Sequence, residues 1–144
     1  MTEHNEIPLL PLWTLLQSVV MSCRDRKSFP YTRTQIAIFS ALEMEESMSM
    51  KQVADAIAAS REQATRAVSP LVRDGLLERH LDPKKRTRVI VRMTPKGENF
   101  IRENRIRFNN RIREKARASL SEEELEQLRQ SAGTTMALLA KIKI

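Results

Sequence analysis

The stretch SREQATRAVSPLVRDGLL, residues 60–77, carries several side chains that can form specific hydrogen bonds. On a 3.6-residue repeat, small apolar residues fall on one face and polar residues fall largely on the other. The polar set is Arg61, Gln63, Arg66 and Ser69, with Thr65 and Arg73 at its edges. Arginine pairs with guanine and glutamine with adenine, while hydroxyl groups and helix N-termini contact phosphates. This pattern is typical of a helix that enters the major groove of DNA.

A second cluster of cations follows in DPKKRTR, between the β-prone runs LLERH and RVIVRM. Its members are Lys84, Lys85, Arg86 and Arg88. Asp-Pro is a turn signal, so the three pieces together predict a hairpin with a cationic tip. Such a tip can follow phosphates or enter a narrow minor groove, where arginine is favoured. For the tip taken alone, the alternative is a charged turn that is simply solvated. For the helix taken alone, the alternative is a solvated charged face.

Capping signals predict how these side chains are positioned. Ser60 and Gln63 have the spacing of a capping box, and Gly75 stands where a helix would end in a left-handed residue. Ser49 and Gln52 predict another capping box, which starts a short preceding helix. About two residues are expected between the two helices, so the pair is read as a helix-turn-helix.

Four further helices complete the prediction. The first covers Leu9–Met21, and the second begins at the N-cap Thr32, with Gln35 three residues later. The fifth helix opens at Thr94-Pro95 and runs to about residue 119, and Ser121 caps the sixth.

Pro70 interrupts the apolar and polar pattern of residues 60–77. It removes the backbone hydrogen bond to the carbonyl of Arg66, which predicts a kink at this point. Our hypothesis is that the kink separates a groove-reading half, residues 61–69, from a half that packs on the core.

The charge distribution also favours a polyanionic partner. The 144-residue chain has a net charge of +7 and a pI of about 10.1. Residues 49–95 carry ten Lys/Arg against five Asp/Glu, and residues 96–117 carry eight against three. There is a single cysteine, no secretory signal and no apolar run near the ~20 residues of a membrane span, so a soluble cytoplasmic protein is expected.

Catalysis and metal binding are not indicated. No nucleophile–base pair or glycine-rich phosphate loop can be identified, so we expect no enzyme activity and no cofactor. His4 and His80 form no zinc-binding spacing with Cys23. Cys23 is a candidate redox sensor because Arg24 and Arg26 flank it and cations favour a reactive thiolate. The alternative is an unreactive cysteine at the end of a helix.

The order of these features resembles the MarR family of winged helix-turn-helix transcription regulators. The resemblance covers about residues 31–97 and is carried by Thr32…Gln35, Val53-Ala54, Ser60, Thr65, Leu71, Gly75-Leu76, Asp82, Arg86, Val91 and Thr94…Gly97. Asp82 and Arg86 match the family's wing aspartate and the wing arginine that reaches the minor groove. Lys85 and Thr87 depart from the family pattern, which usually has an acid and a second arginine there.

The resemblance implies a mainly α fold with a small β-hairpin wing, in one domain spanning residues 1–144. A winged helix-turn-helix lobe at about 31–97 would be flanked by dimerisation helices at about 9–23 and 95–143. It implies a homodimeric regulator, a repressor in our interpretation, that binds a pseudo-palindromic operator in double-stranded DNA. It also implies release by a small aromatic or phenolic ligand, which no residue of this sequence identifies.

Two other functions stay open from the sequence. The fifth helix carries Arg102, Arg105, Arg107, Arg111 and Arg113, which suits a nucleoid-type protein that binds DNA or RNA without sequence preference. A winged-helix adaptor that contacts proteins and has lost operator binding is the other alternative.

Overall fold

A computed structural model describes residues 5–142 of the chain. The outermost residues of the predicted 1–144 domain, including His4 and residue 143 of the predicted C-terminal helix segment, lie outside this range. The chain forms two compact units with boundaries after Arg24 and after Ile106, and the second boundary falls within a long helix. One unit is Asp25–Ile106, and the other consists of the described parts of Met1–Arg24 and Arg107–Ile144.

The observed architecture is mainly α with a small antiparallel sheet, as predicted. Its elements are α1 (Leu9–Cys23), α2 (Arg33–Met44), β1 (Met48–Ser49), α3 (Met50–Ala56), α4 (Arg61–Arg73), β2 (Leu77–Leu81), β3 (Val89–Met93), α5 (Pro95–Ser119) and α6 (Glu122–Leu139). Strands β2 and β3 form the expected hairpin, and the sheet order is β1-β3-β2. Strand β1, which the sequence analysis missed, pairs Met48 with Val91 and Ser49 with Ile90.

The capping predictions are confirmed. Complete capping boxes are formed by Thr32–Gln35, Ser49–Gln52, Ser60–Gln63 and Ser121–Glu124. Each box satisfies two backbone N–H groups that would otherwise lack partners at a helix start. Helix α4 continues as an α-helix through Pro70 to Arg73.

Unit Asp25–Ile106 contains an apolar core to which α2, α3, α4 and the sheet contribute. Its fully buried large side chains are Ile38, Phe39, Val53, Val68, Leu71, Leu77 and Val91. Four of the chain's six aromatic residues, Phe29, Tyr31, Phe39 and Phe100, pack beside it with ring centroids 5.4–6.1 Å apart. This cluster attaches the segment before α2 and the first turns of α5 to the lobe.

Both helices of the helix-turn-helix end in the same left-handed turn. After α4, Gly75 has φ +78°, and the amides of Gly75 and Leu76 bond back to the carbonyls of Val72 and Leu71. After α3, Ala58 adopts φ +51°, and the amides of Ala58 and Ala59 bond to Asp55 and Ala54. These are Schellman motifs. The turn at Ala58 ends α3 at Ala56, so residues 57–60 form the connection, which is longer than the two residues expected.

The other unit contains α1, the later part of α5 and α6, and it has little buried apolar surface. Helix α6 has no buried residue. Cys23 is the buried residue of α1, and its carbonyl accepts a hydrogen bond from Nη1 of Arg111 at 3.3 Å. The carbonyl of Ser22 accepts another from Nζ of Lys115 at 3.3 Å.

The paired turns give a matched test of left-handed strain. A left-handed conformation costs an L-residue roughly 1–2 kcal/mol, while glycine loses about 0.5–1 kcal/mol more chain entropy on folding. We therefore expect Ala58→Gly to raise the free energy of unfolding by about 0.5–1 kcal/mol. Gly75→Ala should lower it by about 1 kcal/mol, since the added methyl would meet only Lys96 at 3.6 Å. Urea denaturation measures both free energies of unfolding. A loss of stability in Ala58→Gly would contradict the inferred backbone strain at Ala58.

Candidate nucleic-acid interface

Helix α4 buries one face completely and exposes the other. Ala64, Val68 and Leu71 are each 0% exposed, because their small or branched side chains fill the core of the lobe. On the other side of the helix Arg61, Thr65 and Arg66 are exposed, and Ser69 is half-buried. The packing of the apolar stripe therefore directs the predicted base-reading side chains outward.

The polar side chains of this exposed face differ in which hydrogen-bonding groups remain available for DNA. The hydroxyl of Thr65 donates to the carbonyl of Arg61 at 2.8 Å. The hydroxyl of Ser69 donates to the carbonyl of Thr65 at 2.7 Å and accepts from Nη1 of Arg79 at 3.3 Å. Within residues 5–142, the guanidinium groups of Arg61 and Arg66 have no partner, so these two arginines are the side chains best able to pair with bases.

The capping box uses one end of the Gln63 amide. Oε1 of Gln63 accepts from the backbone N–H of Ser60 at 3.0 Å, and the Ser60 hydroxyl accepts from the backbone N–H of Gln63 at 3.2 Å. A bidentate contact with adenine needs both ends of a glutamine amide. In this conformation Gln63 offers only Nε2, so a contact with a single acceptor is the one it can make.

Arg73 lies at the opposite end of α4 from the cap. Twelve helical steps separate it from Arg61, or about 18 Å along the axis. Its Nε atom is 3.8 Å from Oδ1 of Asp74, and its side chain is 76% exposed. The distance from the first turns makes a phosphate contact more suitable for Arg73 than a contact with the same bases.

The hairpin tip is organised by Asp82. Its Oδ1 atom accepts from the backbone N–H of Lys84 at 2.9 Å, and its Oδ2 atom is 4.0 Å from Nη1 of Arg88. The side chains of Lys84, Lys85 and Arg86 are exposed and have no partner within the described chain. The tip therefore presents three available cations, while Arg88 lies at its base beside a carboxylate.

The turn after α4 is tied to two distant segments, a feature that the sequence analysis missed. The hydroxyl of Tyr31 donates to Oδ2 of Asp74 at 3.0 Å, and Nζ of Lys96 donates to the Asp74 carbonyl at 2.9 Å. The hydroxyl of Thr94 donates to the carbonyl of Gly75 at 2.6 Å. These contacts fix the C-terminal end of α4 to the segment before α2 and to the start of α5.

Gly97 permits the closest approach in this region. A Cβ atom at this position would lie 2.0 Å from the carbonyl oxygen of Leu76, so no larger residue fits without backbone movement. The backbone N–H of Gly97 donates to the Thr94 hydroxyl at 3.0 Å, a contact at the start of α5. Glycine is therefore required where α5 begins against the turn after α4.

The arginines of α5 are partly engaged by neighbouring groups. Arg105 forms an ion pair with Glu43 of α2, and Nη1 of Arg102 donates to Oδ1 of Asn99 at 3.2 Å. Near the C-terminal end of α5, Nε of Arg117 is 3.5 Å from Oε1 of Glu122 at the start of α6. These contacts neutralise part of the positive charge of α5, and a non-specific nucleic-acid binder would depend on that charge.

Cys23 belongs to the other unit and is only 3% exposed. Its role as a redox sensor stays a prediction. Among residues 5–142 no group of His, Cys, Asp and Glu side chains is arranged to hold a metal ion. Within the same range, every helix is too short or too polar to cross a membrane.

No family model and no curated protein matches the chain, but many solved structures do. Transcriptional regulator PA4135 is 29% identical, with a TM-score of 0.65 over 96% of this chain and 100% of its own. MarR is 21% identical, with a TM-score of 0.71 over 92% of this chain and 100% of its own. BpsR of Bordetella bronchiseptica, whose DNA binding is regulated by 6-hydroxynicotinic acid, is 20% identical, with a TM-score of 0.59 over 99% of each chain.

The tyrosine that holds the end of α4 gives a spectroscopic test. Burial, the hydrogen bond to the Asp74 carboxylate and the charge of that carboxylate together raise the pKa of Tyr31 to about 12, with burial the largest cause. The folded state therefore keeps this proton while an unfolded chain loses it near pH 10, so the free energy of unfolding should fall between pH 10 and 12.

Tyr31 is the only tyrosine, so ultraviolet absorbance of tyrosinate reports this group alone. We expect a midpoint near pH 12 in the parent and a lower one in Asp74→Asn, which removes the charge and keeps a hydrogen-bond acceptor. A folded parent that titrates near pH 10 would contradict the contact.

Proposed function

The chain has the MarR-type winged-helix fold, and on this premise we propose that it is a sequence-specific regulator of transcription that binds double-stranded DNA. In our proposal it represses by occupying a pseudo-palindromic operator as a homodimer. The observation that carries the proposal is the exposed face of α4, where Arg61 and Arg66 have no partner among residues 5–142 and lie opposite a fully buried face.

We propose that the first turns of α4 enter the major groove. Arg66 and Arg61 would pair with guanine O6 and N7, and Gln63 would donate from Nε2 to one base acceptor. Ser60, Thr65, Ser69 and Arg73 would contact phosphates or the edge of the groove. The wing cations Lys84, Lys85 and Arg88 would follow the backbone, and Arg86 at the tip would enter the minor groove.

Exposed apolar side chains support the homodimer. In α1, Leu10 is 80% exposed and Trp13 is 59% exposed, and in α6, Met136 is 71% exposed and Leu128 is 52% exposed. Apolar surface of this extent is typical of an interaction site. A second copy of the chain would cover it with the segments at about 9–23 and 95–143. A two-fold dimer would also present two copies of the 31–97 lobe to successive turns of DNA.

Selection from random double-stranded DNA, followed by titration of the selected operator and a scrambled duplex, tests this proposal. We expect the parent to bind the operator as a dimer and to prefer it by at least ~10³-fold. Arg66→Ala should lose roughly 1–3 kcal/mol of that preference. Arg86→Ala should weaken both complexes and reduce the dependence of affinity on salt.

Arg66→Lys is the matched control, since it keeps the charge but not the planar two-donor geometry. It should bind the scrambled duplex like the parent while losing preference for the operator. A parent that cannot distinguish the two duplexes, with affinity set by salt alone, would favour the non-specific binder. A parent that binds neither would favour the protein adaptor.

A cavity in the lobe supports release by a ligand. It has a volume of about 550 Å³, within the range typical of small-molecule sites. Its lining is Leu42, Glu43, Glu46, Met93, Glu98, Ile101, Arg102 and Arg105. We propose that a small aromatic or phenolic acid places its ring against Met93 and Ile101 and its anionic group beside Arg102.

A panel of small aromatic acids, with 6-hydroxynicotinic acid as one member, tests the ligand proposal. At least one acid should weaken operator binding by the parent tenfold or more, a difference of about 1.4 kcal/mol. Arg102→Ala should respond less, while Arg107→Ala, outside the cavity lining, should respond like the parent. An equal response of Arg102→Ala would place the ligand elsewhere.

A further inference from the structure

Gln35 makes two hydrogen bonds that belong to different helices. Its side chain is 7% exposed, although the sequence assigns it only to the start of α2. Oε1 of Gln35 accepts from the backbone N–H of Thr32 at 2.9 Å and so completes the capping box. Nε2 of Gln35 donates to the backbone carbonyl of Ala67 in α4 at 3.1 Å. One amide therefore joins the start of α2 to the middle of the recognition helix.

The carbonyl that Gln35 contacts lies in the turn of α4 that Pro70 deprives of one helical hydrogen bond. Pro70 has no N–H, so the carbonyl of Arg66 lacks its helical donor, and the proline ring crowds that carbonyl. The carbonyl of Ala67 is the next one along the same turn, yet the helix continues to Arg73. An external donor at Ala67 ties this turn to α2 at the place where the helix has lost one of its own hydrogen bonds.

The other capping boxes show that capping alone does not require this donor. Gln52 and Gln63 occupy the corresponding positions of α3 and α4, and Glu124 occupies that of α6. Glu124 has no side-chain N–H, and its carboxylate completes its box by accepting from the N–H of Ser121 at 3.1 Å. An acceptor at the third helical position is therefore sufficient, and the Nε2 group of Gln35 has a separate role.

Polar side-chain contacts attach the end and the middle of α4 to other elements of the lobe. The turn after the helix is held through Asp74, and the middle receives side-chain donors from Gln35 and from Arg79, which bonds Ser69. Arg79 is exposed, whereas Gln35 is buried. A buried hydrogen bond holds its geometry better than an exposed one, since water does not compete for its groups.

We propose that Gln35 is a positioning residue, which acts through Ala67 to set the angle of the base-reading turns of α4. The inference rests on the proposed function, because its consequence is a preference for one DNA sequence. Hydrogen bonding of arginine to a base edge depends on geometry, whereas attraction to phosphates depends mainly on charge. Loss of the contact should therefore lower sequence preference and leave non-specific binding unchanged.

Gln35→Glu tests this proposal, since it retains the capping acceptor and replaces the donor with an oxygen that repels the Ala67 carbonyl. We expect the preference for the selected operator over a scrambled duplex to fall about tenfold. Affinity for the scrambled duplex and its salt dependence should match those of the parent. Gln52→Glu is the matched control and should keep the parent's preference, because the side-chain bonds of Gln52 within the described part of the chain are those of its capping box.

The Pro70→Ala background separates positioning from loss of stability. Alanine restores the N–H that bonds the Arg66 carbonyl, so the turn no longer depends on Gln35. Adding Gln35→Glu to Pro70→Ala should lower the preference less than about threefold, a coupling that a double-mutant cycle measures. If Gln35→Glu does not fold alone, Gln35→Met, compared with Gln52→Met, is measured in the same way, since it removes the donor without adding a buried charge.

The outcomes that overturn the proposal are distinct from failure of the proposed function. Equal weakening of operator and scrambled binding by Gln35→Glu would show a merely structural role. An unchanged preference, or a loss that Pro70→Ala does not reduce, would show that the contact does not set the angle of α4. A parent without any preference would overturn the proposed function itself, and this inference with it.

Discussion

Burial of one face of α4 is the constraint on which the rest of the lobe depends. Ala64, Val68 and Leu71 have no exposed surface, so the helix can lie in the core in only one rotation about its axis. That rotation directs Arg61 and Arg66 into solvent. The proposed DNA reading therefore follows from core packing: apolar contacts fix which side chains are presented, and the arginines themselves contribute little to the stability of the lobe.

The ends and the middle of α4 are controlled by polar contacts that packing alone would not specify. A Schellman turn at Ala58 leads into the helix and another at Gly75 ends it, and each satisfies carbonyls of the preceding helix. The hydroxyl of Tyr31 holds the last turn through Asp74, and Gln35 bonds the carbonyl of Ala67. Because Pro70 removes an internal hydrogen bond, the external contacts have more influence on the course of this helix than they would on an uninterrupted one.

Local signals in the sequence predicted much of this arrangement. The capping boxes, the hairpin and the left-handed Gly75 depend on residues only a few positions apart, and each was confirmed. Non-local contacts were missed, because nothing in the sequence spacing relates Gln35 to Ala67 or Tyr31 to Asp74. Strand β1 was missed for another reason: two residues are too few to show an alternating pattern, and Ser49 also serves as a helix cap.

Methylation interference on the selected operator would test whether α4 reads base edges in the major groove. A methyl group on guanine N7 lies in the major groove and blocks the atom with which arginine pairs. We expect interfering guanines in two clusters one helical turn apart, with at least one guanine in each cluster losing its effect in Arg66→Ala. Binding that is indifferent to N7 methylation throughout the operator would contradict this reading of base edges.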